Sequence, residues 1–125
     1  MAPTLEQQRA QFAWDAVNRA HGSIRNFSDY KNLAKGAPAL VMGNGLMAAI
    51  AFYKSRGNDH ATQLMNDIRG TLARRDGQKG IPPFAEAMSC FQNMDSRDYM
   101  AATDEALAML KWLRQFADAI ESSKP

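Results

Sequence analysis

The feature that most restricts the fold of this chain is the spacing of apolar residues near its C-terminus. From residue 99 onward they recur every three or four positions, as they do on one face of a helix at 100° per residue. This spacing predicts a long last helix that Asp95 or Ser96 opens. Its predicted buried face consists of Tyr99, Ala106, Leu107, Leu110, Leu113, Ala117 and Ile120.

The residue types available favour helices elsewhere too. The chain has 21 Ala, 9 Leu and 8 Met, all good helix formers, against only 2 Val, 5 Ile and 4 Thr. Because strands are enriched in β-branched residues, this sequence offers little material for a sheet. With 125 residues, the chain has the length of one domain. We therefore predict an all-α fold in which residues 1–125 form a single compact bundle of about five to six helices.

Capping residues and glycines suggest where the other helices begin and end. Thr4 and Gln7 fit a capping box, and Asn58 or Asp59 fits the N-cap of a later helix. A second helix is expected to stop at Gly36, with Pro38 in the first turn of a new segment. The run 46–53 is apolar on every side, which predicts a helix at the centre of the bundle.

The charge is small overall but unevenly distributed. The formal net charge is +2, yet residues 1–80 carry 11 Lys and Arg against 6 Asp and Glu, whereas residues 81–125 carry 4 against 7. The stretch 19–56 holds one acid, Asp29, and six cations: Arg19, Arg25, Lys31, Lys35, Lys54 and Arg56. This pattern predicts a positive patch, for which nucleic-acid phosphates are a common partner. The alternative is a solvated, lysine-rich face.

Catalytic signals are weak. His21 and His60 lie near predicted helix ends without a second ligand three or four positions away, and we interpret both as surface residues. Cys90 is the only cysteine, which excludes an intramolecular disulfide, and we expect it to be a small buried apolar residue. We therefore predict no catalytic residue, no metal site and no cofactor. We expect neither a signal peptide nor a membrane span, and the composition favours the cytoplasm.

The stretch 43–48 fits the dinucleotide pattern G-x-G-x-x-A. That pattern binds phosphate only between a strand and a helix, and no second strand can be drawn beyond Arg56. We interpret Gly43 and Gly45 instead as a sharp turn between helices, with Asn44 tolerant of positive φ.

Aromatic residues accompany the cations, as in proteins that bind single-stranded RNA. Trp14, Phe27 and Tyr30 lie in or near the basic stretch, and Trp112 is flanked by Lys111 and Arg114. Core packing is the alternative role for each ring. Trp112 lies at the edge of the apolar face of the last helix, which makes it the best interface candidate.

Several segments together resemble one family, in matching order and spacing over most of residues 5–120. They are Gln8-Arg9-Ala10-Gln11-Phe12-Ala13, Tyr30-Lys31-Asn32-Leu33-Ala34-Lys35, Pro38-Ala39-Leu40, Asn44-Gly45-Leu46, Ala51-Phe52-Tyr53-Lys54-Ser55-Arg56 and the run from Thr103 to Ala117. The chain thereby resembles the small, noncatalytic subunit of the type III-B CRISPR effector, the Cmr complex. Gly36 and the stretch 76–98 depart from the family pattern.

The resemblance implies a compact all-helical protein without an active site. Copies of it are expected to stack as a minor filament beside the backbone subunits, which carry target cleavage, in defence against foreign RNA. The implied partners are guide and target RNA, other Cmr subunits, especially the backbone subunit, and neighbouring copies of the chain. The implied RNA-binding residues, on the matching segments, are Lys31, Lys35, Lys54, Arg56, Lys111 and Arg114. A helical adaptor that binds only protein remains the alternative.

Overall fold

A computed structural model of the chain describes residues 2–77 and 80–122, and within these ranges all regular structure is helical. The predicted all-α fold is confirmed. The helices are α1 (Leu5–Ser23), α2 (Phe27–Asn44), α3 (Leu46–Arg56), α4 (Asp59–Arg75), α5 (Phe84–Asn93) and α6 (Ser96–Ser122).

Three predicted helix starts are confirmed by their capping bonds. The Thr4 hydroxyl accepts from the Gln7 amide at 3.1 Å, and the Gln7 side chain accepts from the Thr4 amide at 2.7 Å. The Asn58 side chain accepts from the Ala61 amide at 2.9 Å. Asp95 caps α6 in the same way through the amide of Asp98, at 2.8 Å. These bonds satisfy amides that a helix start otherwise leaves without partners.

Helix α2 is longer than the sequence predicted. It does not stop at Gly36 but continues through Pro38 as far as Asn44. Proline inside a helix removes one backbone donor and costs about 3 kcal/mol. Packing offsets that cost, because residues on both sides of Pro38 share one fully buried face: Tyr30, Ala34, Ala37 and Val41.

The most central helix is α6, not α3. Helix α6 packs against α1, α2 and α4, whereas α3 packs mainly against α2 and α4. The prediction that α3 is enclosed on every side is wrong: Leu46 and Ile50 are buried, but Ala51 and Phe52 face solvent. The apolar run 46–53 therefore contributes side chains both to the core and to the surface of this bundle.

Contacts between distant residues set the helix directions. Helix α1 runs parallel to α6, because Arg9 contacts Glu105 and Trp14 contacts Phe116. Helix α2 runs antiparallel to α6, because Ser28 binds Glu121 at its start and Tyr99 binds the Met47 amide just beyond its end. The Arg25 amide donates to Asp59 at the start of α4, 3.3 Å away. One end of the bundle thus gathers the last turns of α1, α3 and α6 and the first turns of α2 and α4; we call it the C-terminal end.

The turn at residues 43–45 is sharper and shorter than predicted. Only Gly45 has positive φ there, at 92°, while Gly43 and Asn44 remain helical. We expect Gly45→Val to lower the free energy of unfolding by about 1–3 kcal/mol, since a β-branched residue is strained in this region. Thermal unfolding measures the change. Gly43→Ala is the matched control and should not lower the melting temperature, because Gly43 is helical with open space around it. An unchanged melting temperature for Gly45→Val would contradict the prediction.

Candidate nucleic-acid interface

The fold places all six predicted RNA-binding cations in the half of the bundle nearest its C-terminal end. Lys31 and Lys35 lie in the first half of α2, which starts there. The other four lie in the last turns of α3 and in the second half of α6, both of which end there: Lys54, Arg56, Lys111 and Arg114. Residues from three separate segments are therefore brought to one half of the molecule.

Two of these cations are already paired with acids. The Lys31 ammonium lies 3.5 Å from Glu121 and 3.8 Å from Asp118, and the Lys35 ammonium lies 3.6 Å from Asp118. All four side chains are partly exposed, so these pairs contribute little to stability. Part of the positive charge on α2 is nevertheless neutralised by α6, which the sequence did not reveal.

The other four cations have no carboxylate within ion-pair distance in the described ranges. Three of them lie over aromatic rings: Lys54 is 5.8 Å from the centre of the Phe84 ring, Arg56 5.1 Å from Phe52, and Lys111 6.0 Å from Trp112. The side chains of all four cations are exposed to solvent. These cations can therefore contact an anionic partner.

The six cations form two groups. Lys35 reaches Asp118, and Arg114 lies one helical turn before Asp118, so that Lys31, Lys35, Lys111 and Arg114 border the seam between α2 and α6. Lys54 and Arg56 belong to α3, beside α4 and the start of α5. The seam is the larger of the two basic surfaces.

Of the aromatic candidates, Tyr30 is fully buried and Phe27 packs on it and on His21. Tyr30 therefore has the core-packing role that the sequence left open for each ring, since it fills the core between α2 and α4. Trp14 is 43% exposed and lies edge-on to Phe116, with ring centres 5.3 Å apart. Trp112 stacks on the same Phe116 at 5.6 Å. Sequence reasoning missed Phe116, although it lies one turn after Trp112.

A buried carboxylate also escaped the sequence analysis. Asp67 on α4 is 2% exposed and accepts hydrogen bonds from the Tyr30 hydroxyl at 2.6 Å and from the Gln63 amide at 2.8 Å. Arg19 lies 3.9 Å away. Burial raises the pKa of Asp67 to about 6, partly opposed by these hydrogen bonds. The network ties α2 to α4 and makes stability depend on pH.

We expect Asp67 to stabilise the fold less as the pH rises. Because the folded protein holds the Asp67 proton more tightly than the unfolded chain, its contribution is complete below about pH 4 and is lost as the pH passes 6. Asp67→Asn cannot titrate. The unfolding free energy of the wild type relative to this variant should therefore fall by on the order of 3 kcal/mol between pH 4 and 7. Urea unfolding at several pH values measures the difference, and two parallel pH profiles would contradict it.

A second carboxylate, Glu105, joins three helices. It accepts two hydrogen bonds from the Arg9 guanidinium of α1, at 2.8 and 2.9 Å, and one from Arg74 of α4, at 3.1 Å. The bonds from Arg9 lower the pKa of Glu105, although its side chain is nearly buried. Arg9 falls on the apolar face of α1, and its guanidinium is paired with Glu105 and does not extend into solvent.

The catalytic candidates stay apart. His21 packs on Phe27, and the His60 ring contacts the carboxylate of its sequence neighbour Asp59 at 3.3 Å. Residues 2–77 and 80–122 hold no group of three metal-ligating side chains. The expectation that Cys90 is buried is wrong: it is exposed, because α5 buries mainly Ala87 and Phe91. None of the helices described combines the length and the apolarity that crossing a bilayer demands.

The structure thus defines a small all-helical protein in which the six candidate cations lie in one half of the bundle, four of them without a carboxylate partner among the described residues. Comparison with known proteins places it more narrowly. The family model for the CRISPR-associated protein Cmr5 matches residues 5–120, and the chain belongs to the Cmr5 family. The expected relation to the small subunit of the Cmr complex is confirmed.

Individual relatives agree with this assignment. The chain is 34% identical to the CRISPR system Cmr subunit Cmr5 of Thermus thermophilus, over 94% of this chain and 96% of the relative. It is 26% identical to the subunit of the same name from Thermotoga maritima, over 94% and 84%. A crystal structure of a Cmr5 family protein from Thermus thermophilus superposes with a TM-score of 0.76 at 30% identity, covering 94% of this chain and 97% of that one.

Proposed function

We propose that this chain is the noncatalytic small subunit of a CRISPR Cmr complex and that it lies along the guide–target RNA through its basic residues. One observation carries the proposal: four of the six candidate cations have no carboxylate partner among the described residues, and they lie in the same half of the bundle. Charges left accessible in this way suit RNA phosphates, which need no base-specific donors. Base pairing with the guide would read the sequence.

The wider role follows from the family. Copies of the chain, each a single domain of residues 1–125, would stack as a minor filament beside the backbone subunits in the cytoplasm. Target cleavage would belong to the backbone subunit, and the complex would act in defence against foreign RNA. This proposal assigns no chemical step to the chain itself.

A protein-only adaptor is the second candidate, and one observation favours it. Lys31 and Lys35 are paired with Asp118 and Glu121, so the two cations of α2 are partly neutralised within the chain. An adaptor would use the same bundle with its remaining cations in solvent. It would show no salt-dependent affinity for RNA.

The class of partner can be identified in the native host. We expect affinity purification of the tagged chain to recover the other Cmr subunits together with RNAs that derive from CRISPR repeats. Sequencing of the recovered RNA is the measurement, with an unrelated tagged protein of similar size and charge as the control. Recovery of protein partners with only background RNA would favour the adaptor.

A further inference from the structure

Three aromatic rings form a cluster on α1 and α6, which we call the aromatic ledge: Trp14, Trp112 and Phe116. Trp14 is exposed, whereas Trp112 and Phe116 are partly buried against the core. The Phe116 ring lies at its centre, edge-on to Trp14 and nearly parallel to Trp112, with interplanar angles of 81° and 27°. Trp14 belongs to the solvent side of α1, whose buried face consists of small residues: Ala13, Ala16, Val17 and Ala20. A tryptophan 43% exposed in this position contributes little to the core.

Open space lies beside the ledge. A groove of about 1040 Å³ runs along the N-terminal half of α1, and Trp14 and Phe116 form part of its wall. The wall is mainly apolar and includes Phe12, but it also presents the amide of Gln11 and the carboxylate of Asp15, which accepts from Gln11 at 3.0 Å. A flat ring can pack against the apolar part of this wall while its polar edge reaches the amide of Gln11.

Cations border the other side of the ledge. The Lys111 ammonium lies 6.0 Å from the centre of the Trp112 ring, and Arg114 is two residues further along α6. Neither cation has a carboxylate within ion-pair distance in the described ranges. Rings on one side and accessible cations on the other are the combination with which proteins hold single-stranded nucleic acid.

We propose that the aromatic ledge stacks unpaired bases of single-stranded RNA while Lys111 and Arg114 hold the neighbouring phosphates. This inference rests on the proposed RNA-binding role and extends it, because a paired guide–target duplex presents no free base faces. The ledge would engage RNA that is not paired with the guide, without preference for its sequence. Stacking tolerates any base, since every base has a flat face.

Intrinsic fluorescence offers a direct test, because the only two tryptophans of the chain are both in the ledge. The intact protein would be titrated at low salt with oligoadenylate and with an abasic ribose-phosphate oligomer of equal length and charge. We expect oligoadenylate to quench the fluorescence and to bind more tightly than the abasic oligomer. Trp14→Leu and Trp112→Leu should each weaken oligoadenylate binding about 5- to 150-fold, the range for one stacked base. Met42→Leu, which changes an exposed apolar side chain on α2 outside the ledge, is the control and should leave it unchanged.

The outcomes separate this inference from the proposed function. Equal affinity for the two oligomers, without quenching, would overturn the stacking but leave phosphate binding in place. No salt-dependent binding of either oligomer would overturn both. If the tryptophan variants bind oligoadenylate normally but fail to assemble with other Cmr subunits, the ledge is a protein interface and the inference is wrong. Melting temperatures within a few degrees of the wild type show that the variants are folded.

Discussion

Replacing Arg9 and Arg74 together by methionine will lower the free energy of unfolding by about 3–5 kcal/mol at pH 7. The two guanidinium groups make every hydrogen bond described for the Glu105 side chain, which is 5% exposed. Methionine keeps the length and apolar packing of the arginine stems but removes the charge. The double variant would leave a nearly buried carboxylate without a cation beside it. Urea unfolding measures the decrease.

A third substitution distinguishes the effect of charge pairing from the effect of packing. Adding Glu105→Gln to the double variant removes the unpaired charge, so most of the stability should return. The decrease should also be smaller at acidic pH, because without its arginines Glu105 takes up a proton more readily. An exposed ion pair contributes about 1 kcal/mol at most. If the free energy of unfolding of the double variant is within about 1 kcal/mol of the wild type at pH 7, water replaces the two arginines as partners of Glu105 and the prediction is wrong.

The helices were predictable because their signals are local. The capping box at Thr4, the N-cap at Asn58 and the apolar spacing of α6 each act within a few residues. Pro38 misled the prediction for a physical reason. A proline is a strong local signal, but the buried face of α2 on both sides of it is stabilised by contacts with α4 and α6, which lie far away in sequence.

The candidate site was predictable only in part. The charge distribution and the family resemblance identified the candidate cations, but the residues around each cation depend on which helices pack together. Asp118 neutralises Lys31 and Lys35 from 83 to 87 positions away, and Phe116 joins Trp14 to Trp112 across two helices. Likewise, nothing in the sequence around Asp67 indicated that Tyr30 would cover it. Such pairs form only when helices distant in sequence pack together, so a local stretch of sequence does not predict them.

Replacing Lys54, Lys111 and Arg114 together by alanine should weaken the binding of target RNA to the assembled complex equally for all target sequences. These three cations have no carboxylate partner in the described ranges, so they are the candidates most available to phosphates. Removing one cation from an RNA phosphate lowers the slope of log affinity against log salt concentration by about 0.7–0.9. Removing all three should flatten the slope by roughly 2–3 per copy of the chain that binds RNA. Charge-preserving changes at the same positions, Lys54→Arg, Lys111→Arg and Arg114→Lys, are the matched control.

The salt slope of target-RNA binding therefore tests the central claim most directly. It would be measured on complexes that contain the wild type, the alanine triple variant or the charge-preserving variant, after confirming equal assembly. The account predicts a flatter slope for the alanine variant alone, with the charge-preserving variant matching the wild type. A complex that assembles normally with the alanine variant and keeps the wild-type slope would show that these cations are only a solvated face, and the protein-only adaptor would then be the better description.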